Sequence, residues 1–202
     1  MAGTADNWVT AAVAIGPGKL YAKLAVPGAN GRIILHTDGT PDSTQNPTAL
    51  HLGMTEGGTE FSVKPNVTQF FADEFTTPIV SRVQQEEALI SGSLLQILDF
   101  DVEAVLNPTA TTSNLAGTKG ITFGGSGVLT MTSVAVIFPL EGTPTIYGVF
   151  HLYNAYNDQG IAAQITSKSL GATPFAFRGQ AITTRAVGDQ TGRLFKQLAA
   201  GS

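Results

Sequence analysis

The segment from Pro78 to Pro108 constrains the fold most, because its pattern changes from strand to helix part of the way along. Its first part, through about Gln96, reads as a strand that starts from a polar edge. In its second part, apolar residues recur at helical spacing: Leu98, Val102, Val105 and Leu106. The segment therefore predicts one short helix with a single apolar stripe.

The ends of this helix can be predicted from local chemistry. Asp99 or Asp101 is a candidate N-cap, because a short carboxylate accepts hydrogen bonds from the free amides of a first turn. Asn107 and Pro108 end the helix, since the residue before a proline is disfavoured in the helical region. A second interpretation starts the helix near Ser93. In either case a single helix among strands must lie against the sheet to bury its stripe.

The rest of the chain alternates in the manner of strands. Strands are predicted at 19–26, 32–36, 50–55, 60–63, 67–71, 121–125, 128–138, 146–153, 161–168 and from 175 onward. The segment 32–36 is expected to pair with 19–26, whereas 109–120 reads as a loop. Val128–Phe138 is apolar on both sides over its second half and is predicted to be central. With no internal repeat or linker, residues 1–202 are expected to form one mainly β domain.

The composition favours a folded protein whose surface is partly covered by other subunits. Hydrophobic residues make up 43% of the 202 residues and charged residues only 13%, about half of the ~25% usual for globular domains. The chain has no cysteine, no apolar run of the ~20 residues that span a bilayer, and no pattern of a signal peptide. A cytosolic origin is the default expectation.

Charge is unevenly distributed along the chain. Residues 1–106 hold 12 acidic and 5 basic side chains, whereas residues 107–202 hold 3 acidic and 6 basic ones. This distribution is either chance scatter of solvated charge or complementarity between copies, which would favour head-to-tail assembly. The net charge of −4 argues against a conventional nucleic-acid-binding protein.

No motif predicts catalysis, a cofactor or a metal site. His36, His51 and His151 are far apart and read as satisfied or exposed sheet histidines. Glu86 and Glu87 are adjacent on a strand, so they point to opposite faces and cannot form a catalytic pair across a cleft. The glycine-rich segment 124–127 lacks the lysine and the following helix of a phosphate-binding loop. We therefore expect a protein that is not an enzyme.

Several segments in order resemble the major tail tube proteins of long-tailed, non-contractile bacteriophages. They are Gly16-Pro17-Gly18-Lys19-Leu20-Tyr21, Gly53-Met54-Thr55-Glu56-Gly57-Gly58, Ile90–Leu106, Phe150-His151-Leu152-Tyr153-Asn154-Ala155-Tyr156 and Thr173-Pro174-Phe175-Ala176-Phe177. The resemblance spans nearly the whole chain. It implies a β-sandwich or barrel of antiparallel strands with one flanking helix. It also implies hexameric rings that stack into a hollow tube through which DNA is ejected.

The resemblance also suggests where copies meet and what else they meet. An N-terminal arm, residues 1–16, is expected to anchor on a neighbour through Trp8. The polar loop 37–48 and the basic C-terminal tail 185–202 are expected to make contacts between rings. The candidate contact residues in these two segments are Asp38, Asp42, Asn46, Arg185, Arg193 and Phe195. The implied partners are copies of the chain and the tape measure, tail terminator and tail tip proteins, with DNA passing transiently and no membrane. The implied location is the virion tail, assembled in the host cytoplasm.

Two alternatives remain at the level of sequence. One is another ring-forming tail or secretion-tube component on the same fold. The other is a monomeric β-sandwich module that binds carbohydrate or peptide, for which Tyr147, Tyr153 and Tyr156 would be the aromatic surface. Core and edge packing is the expected role of these tyrosines under the tube hypothesis.

Overall fold

Every strand pair in the computed structural model is antiparallel. The structure describes residues 18–28, 31–71, 77–95, 100–122, 128–140, 143–162 and 171–197. The elements are β1 (Lys19–Ala22), β2 (Leu50–His51), β3 (Thr55–Phe70), β4 (Val80–Leu94), α1 (Phe100–Leu106), β5 (Thr111–Leu115), β6 (Thr118–Thr122), β7 (Thr132–Leu140), β8 (Thr143–Asn157), β9 (Thr173–Gly179) and β10 (Gly192–Lys196).

Eight of these strands form one sheet with the order β2-β1-β7-β8-β9-β4-β3, and β10 pairs with β8 beside this path. Strands β5 and β6 form a separate hairpin. The predicted class, a mainly β fold of antiparallel strands with one flanking helix, is confirmed.

Both faces of β7 and β8 are buried, which explains why β7 is apolar on both sides. On one face Val136 and Phe150 join a core layer that is covered by β4, β9 and α1. On the other face Ile137 and Val149 join a second layer that is covered by the connection between β1 and β2, including Leu35. The prediction that this strand is central is confirmed.

The helix begins at Phe100 and ends at Leu106, so the interpretation that starts it near Ser93 is wrong. Ser93 belongs to β4 and pairs with Glu56 of β3. Val102, Val105 and Leu106 are buried in the first core layer, as the helical spacing predicted. Asn157 donates a hydrogen bond to the free carbonyl of Leu106 and so satisfies the helix end. Leu98 and Asp99 lie outside the described residues.

The predicted strand 50–55 is confirmed only at Leu50–His51, which form β2. The two separate strands predicted at 60–63 and 67–71 are wrong, because β3 runs without interruption from Thr55 to Phe70. The predicted breaks are instead irregularities in its pairing with β4, between Glu56 and Thr59 and between Asn66 and Val67. Gly57 and Gly58 take positive φ angles of 71° and 93° at the first of these bulges. Pro65 is tolerated because β3 is an edge strand and needs hydrogen bonds on one side only.

The structure also corrects other predictions about strand pairing and strand ends. Residues 32–36 are not the partner of β1, which pairs with β7 and β2, and only Leu35 forms an isolated bridge, to Pro41. The predicted loop 109–120 contains the hairpin of β5 and β6. Strand β1 ends four residues earlier than predicted, and β7 starts four residues later. Of the predicted strand 161–168, residues 163–168 lie outside the described part of the chain, as does the segment 124–127.

Candidate functional site: a two-stranded ribbon with open edges

The hairpin of β3 and β4 extends beyond the sheet. Strand β4 pairs with β9 only through Leu89–Leu94, so its part from Val80 to Ala88 is paired with β3 alone. Strand β3 has no partner on its other side within the described residues. We call residues 61–71 and 77–88 the ribbon. Along most of its length, both of its edges present unpaired backbone groups.

The ribbon concentrates exposed apolar surface. Of the fourteen large hydrophobic side chains that are exposed among the described residues, eight lie on it: Phe61, Val63, Val67, Phe70, Phe71, Ile79, Val80 and Val83. Exposed apolar groups clustered in this way mark interaction surfaces in soluble proteins, whereas isolated ones need no explanation. The ribbon is therefore the strongest candidate for a contact surface on the described part of the chain.

One face of the ribbon is continuous with the hydrophobic core. Successive side chains on a strand alternate between faces, so Phe61, Val63 and Val67 lie on the same side of β3. Phe61 and Val63 pair with the buried Ile90 and Ala88, and Val67 pairs with the exposed Val83. The apolar stripe therefore leaves the core at Phe61 and continues into solvent.

A ribbon of this kind calls for a partner. An isolated two-stranded hairpin is at best marginally stable in water, and an exposed edge is a template for pairing with another chain. Lys64, Pro65 and Glu86 lie on the ribbon, and charged residues, prolines and bulges are features that limit uncontrolled edge pairing. The ribbon can therefore pair with a strand of another chain whose surface is complementary to it, while pairing with other chains is limited.

The loop 37–48, predicted to contact other rings, is held closely to its own chain. Asp38 accepts hydrogen bonds from the hydroxyl and the amide of Thr40, at 2.6 and 2.9 Å, and these bonds lower the pKa of its carboxyl. Asp42 accepts from the amides of Gln45 and Thr44, which likewise lowers its pKa. Asp38 remains exposed.

Asn46 is buried, and its side chain is used inside the chain. Its Oδ1 accepts a hydrogen bond from the amide of Ala25 at 3.0 Å. Gly39 is buried against the ring of Tyr147, whose hydroxyl donates to the carbonyl of Thr37. The loop thus covers the second core layer. Only its exposed side chains are available for contact with another copy.

Arg185 and Arg193 meet around one carboxylate. Asp189 accepts hydrogen bonds from the hydroxyl of Tyr153 at 2.7 Å and from Arg185 at 2.7 Å. It also forms an ion pair with Arg193 at 2.9 Å. The bond from Tyr153 comes first among the causes that lower the pKa of Asp189. Burial, followed by the hydrogen bond to Asp189, raises the pKa of Tyr153 to about 12.

The same two arginines tie the C-terminal segment to a distant loop. Arg185 donates to the carbonyl of Pro27 at 2.7 Å, and Arg193 donates to the carbonyl of Gly31 at 2.9 Å. The Arg185 guanidinium also lies 4.2 Å from the centre of the Tyr153 ring. Both side chains are therefore engaged within the subunit, in contrast to a free basic tail.

The remaining predicted contact residues fall in different places. Phe195 lies on β10 opposite Val149 and packs against the second core layer, so part of the predicted tail is a strand of the sheet. Trp8 lies outside the described residues. Tyr147 and Tyr153 are buried, which confirms their predicted packing role and removes them as an exposed aromatic surface. The sequence signal for the ribbon is the alternation of Phe61, Val63 and Val67. Pro65, which lies between them, made this alternation look like two separate strands.

Ser133 and His151 form a buried pair, with Ser133 Oγ 2.6 Å from His151 Nε2. Burial, followed by the charge of Arg185, lowers the pKa of His151 to about 3. The His151 side chain is fully buried, so no substrate reaches it in this structure. His51 and His151 lie in strands, as predicted.

Glu87 forms an ion pair with Arg178, which also pairs with Asp158.

No cluster of three or more potential metal ligands occurs within the described ranges. In those ranges no helix has the length and apolar character needed to cross a membrane. No protein-family model matches the chain, and no curated protein matches it.

Proposed function

We propose that this protein is a structural subunit of a bacteriophage tail tube. Copies associate as hexameric rings, the rings stack, and the hollow tube so formed guides DNA during ejection. The proposal is supported by the resemblance of five segments to major tail tube proteins. One structural observation carries it: a subunit whose β3–β4 ribbon projects with two open edges and an apolar face.

The ribbon supplies what ring assembly needs. Pairing its backbone with a neighbouring copy would remove both open edges, and covering Val63, Val67 and Val83 would extend the core across the contact. A contact that joins two different surfaces repeats from copy to copy, so it closes as a ring or continues as a filament. One such contact, repeated around an axis, closes the ring, and another, repeated along the axis, stacks the rings.

Charge fits passage of DNA without tight binding. Residues 55–94 hold six acidic and two basic side chains, a net charge of −4, whereas the ribbon within them is neutral, with Lys64 and Arg82 balanced by Glu86 and Glu87. Binding of the phosphate backbone depends on Lys and Arg that neutralise phosphates and release counterions. A tube wall built from such a segment would repel DNA rather than retain it.

The other parts of the proposal concern partners and location. The exposed Asp38 side of the loop 37–48 and the Trp8 arm are further candidate contacts with neighbouring copies. The tape measure, tail terminator and tail tip proteins are the proposed partners at the inside and ends of the tube. The tube belongs to the virion tail and is assembled in the host cytoplasm.

A pair of charged variants tests the role of the ribbon. Val67→Glu with Val83→Glu places two carboxylates opposite each other on the apolar face of the ribbon, where both side chains are exposed in the subunit. The subunit should keep its circular dichroism and lose at most about 1 kcal/mol of stability, because both positions are exposed but carboxylates directly opposite each other on paired strands repel. Assembly, followed by sedimentation and negative-stain microscopy, should be lost.

The matched control is Val187→Glu, since Val187 is 94% exposed and lies on a turn away from the ribbon. This variant should assemble like the unmodified protein. Tubes from the doubly substituted protein, of normal length and yield, would overturn the proposal that the ribbon joins the subunits.

A further inference from the structure

The ribbon is attached to the body of the subunit on both of its faces, at the level where β9 stops pairing with β4. On the apolar face, the ring of Phe61 stacks on the ring of Phe150 of β8. On the other face, Glu87 forms an ion pair with Arg178 of β9. In the sheet, Arg178 pairs with Leu89, which is the first residue of β4 that β9 covers. Both contacts therefore act where the ribbon begins to project.

A cleft of about 180 Å³ lies on the apolar side of the ribbon and separates it from β10. Val63 and Ala88 line the cleft on the ribbon, and Leu194 of β10 lines it on the opposite side. Val63 is 46% exposed and Leu194 is 59% exposed, so apolar groups on both sides of the cleft contact water. Movement of the ribbon towards β10 would bury both side chains. Closing of the cleft is thus the movement that the hydrophobic effect favours in a free subunit.

The ion pair opposes this movement because of the face on which it lies. Successive side chains of a strand alternate between faces, so Glu87 points away from the cleft that its neighbours Glu86 and Ala88 line. Arg178 also pairs with Asp158, which directly follows β8. The ion pairs thus connect the end of β8, through β9, to the first residues of the ribbon. A ribbon that closed on β10 would pull Glu87 away from Arg178.

We propose that Arg178 is a positioning residue that holds the ribbon open through Glu87, so that the apolar face of the ribbon stays available to a neighbouring copy. This inference rests on the proposed function, because it concerns the orientation of the surface by which the subunits join. Both side chains of the pair are partly exposed, and such a pair contributes little to the stability of a fold. The same small free energy is enough to change the ratio of two similar conformations severalfold.

The position of the ribbon can be measured in the free subunit, at a concentration too low for assembly. The chain has no cysteine, so a pair of spin labels can be attached at Asn66→Cys and Val187→Cys. Asn66 is exposed on the polar face of the ribbon, and Val187 is 94% exposed and adjacent to Gly188, which lines the cleft. Pulsed electron paramagnetic resonance then gives the distribution of distances between the two labels.

The variant to test is Glu87→Gln, which removes the charge that Arg178 binds. The matched control is Glu60→Gln, because Glu60 is an exposed carboxylate on the same face of the β3–β4 hairpin and its substitution leaves the pair with Arg178 in place. Glu87→Gln should make the fraction of short distances about two- to fivefold larger, as expected for the loss of one exposed ion pair. Glu60→Gln should leave the distribution unchanged.

Salt gives a second readout that a merely structural role of Glu87 would not produce. In the unmodified labelled subunit, 1 M salt should increase the short distances in the same way, because exposed ion pairs are screened. Glu87→Gln should no longer respond to salt. In the protein without labels, Glu87→Gln should slow the assembly of tubes by a similar factor.

An unchanged distribution in Glu87→Gln, or an equal shift in Glu60→Gln, would overturn this inference and leave the proposed function standing. A shift in the distances with a normal rate of assembly would also overturn it, because the position of the ribbon would then not control assembly. Failure of the unmodified protein to assemble would overturn both. That failure is recognised separately, because the distances are measured in free subunits.

Discussion

The ring of Phe61 on the edge strand β3 stacks against the ring of Phe150 on β8, with centroids 4.8 Å apart and an angle of 20° between the planes. Phe138 of β7 stacks on the same ring of Phe61 at 5.8 Å. Phe61 thus joins the base of the exposed ribbon to the first core layer. It fixes where the ribbon leaves the body of the subunit.

Phe61→Ala should destabilise the isolated subunit by about 2–3 kcal/mol, below the range for a fully buried phenylalanine because the side chain is 38% exposed. Urea unfolding of the monomer measures this change. Val83→Ala is the control, since Val83 is 62% exposed, and it should stay within about 0.5 kcal/mol of the unmodified protein. Equal effects at the two positions would contradict the anchoring role of Phe61.

Gly148 on β8 is required by the ring of Phe138. A Cβ atom built at Gly148 lies 2.3 Å from Phe138 Cε2, so a methyl group cannot fit without movement of the ring. Gly148→Ala should lower the free energy of unfolding by about 1–3 kcal/mol. Gly28→Ala, where an added Cβ meets nothing within 4 Å, should leave it unchanged or slightly raised. A neutral Gly148→Ala in urea unfolding would contradict the packing described.

His151 should make stability depend on pH. Burial, and then the charge of Arg185, lowers its pKa from 6.5 to about 3. Below pH 6.5, His151 binds a proton in the unfolded chain but not in the folded chain. Stability should therefore fall as pH drops from 6.5 towards 3, by at most about 1.4 kcal/mol per pH unit for this one group.

His151→Gln should flatten this dependence above about pH 5, the range in which most carboxyl groups do not yet titrate. The measurement is the free energy of unfolding in urea at a series of pH values. His51→Gln is the control, because His51 lies at an exposed position of β2, whereas His151 is fully buried. An unchanged slope in the His151 variant would show that another group is responsible.

Asp189→Asn should loosen the loop that Arg185 and Arg193 hold. Both guanidinium groups share this carboxylate while they donate to Pro27 and Gly31. The amide of Gly31 donates to the carbonyl of Gly28 in this loop. When the charge of Asp189 is removed, this amide should exchange with solvent at least about tenfold faster, because the free energy of local opening falls by about 1.4 kcal/mol. NMR hydrogen exchange measures it. Asp158→Asn, which affects the pair with Arg178 and the hydrogen bond from Gln159, should leave Gly31 unchanged.

Local patterns predicted the features that local chemistry determines. The end of α1 followed from Asn107 and Pro108, and the central position of β7 followed from apolar residues on both of its faces. Phe175 and Phe177 are buried, as their alternation predicted. In each case the deciding residues are neighbours in the sequence.

Features that depend on distant partners were not predicted. Arg193 looked like part of a free basic tail, but it bonds to Gly31, 162 positions away. Gly57, Gly58 and Pro65 looked like strand breaks, but an edge strand accommodates them as bulges and as a residue that lacks an amide hydrogen. The ribbon was missed for this reason, because its existence depends on where β9 stops pairing with β4.

The most direct test of the central claim is negative-stain electron microscopy of the purified, unmodified protein over a range of concentrations. The account predicts hollow tubes built of stacked rings with sixfold symmetry, and a loss of free subunits as concentration rises. Particles that remain single subunits at every concentration, with the ribbon still open to solvent, would contradict it.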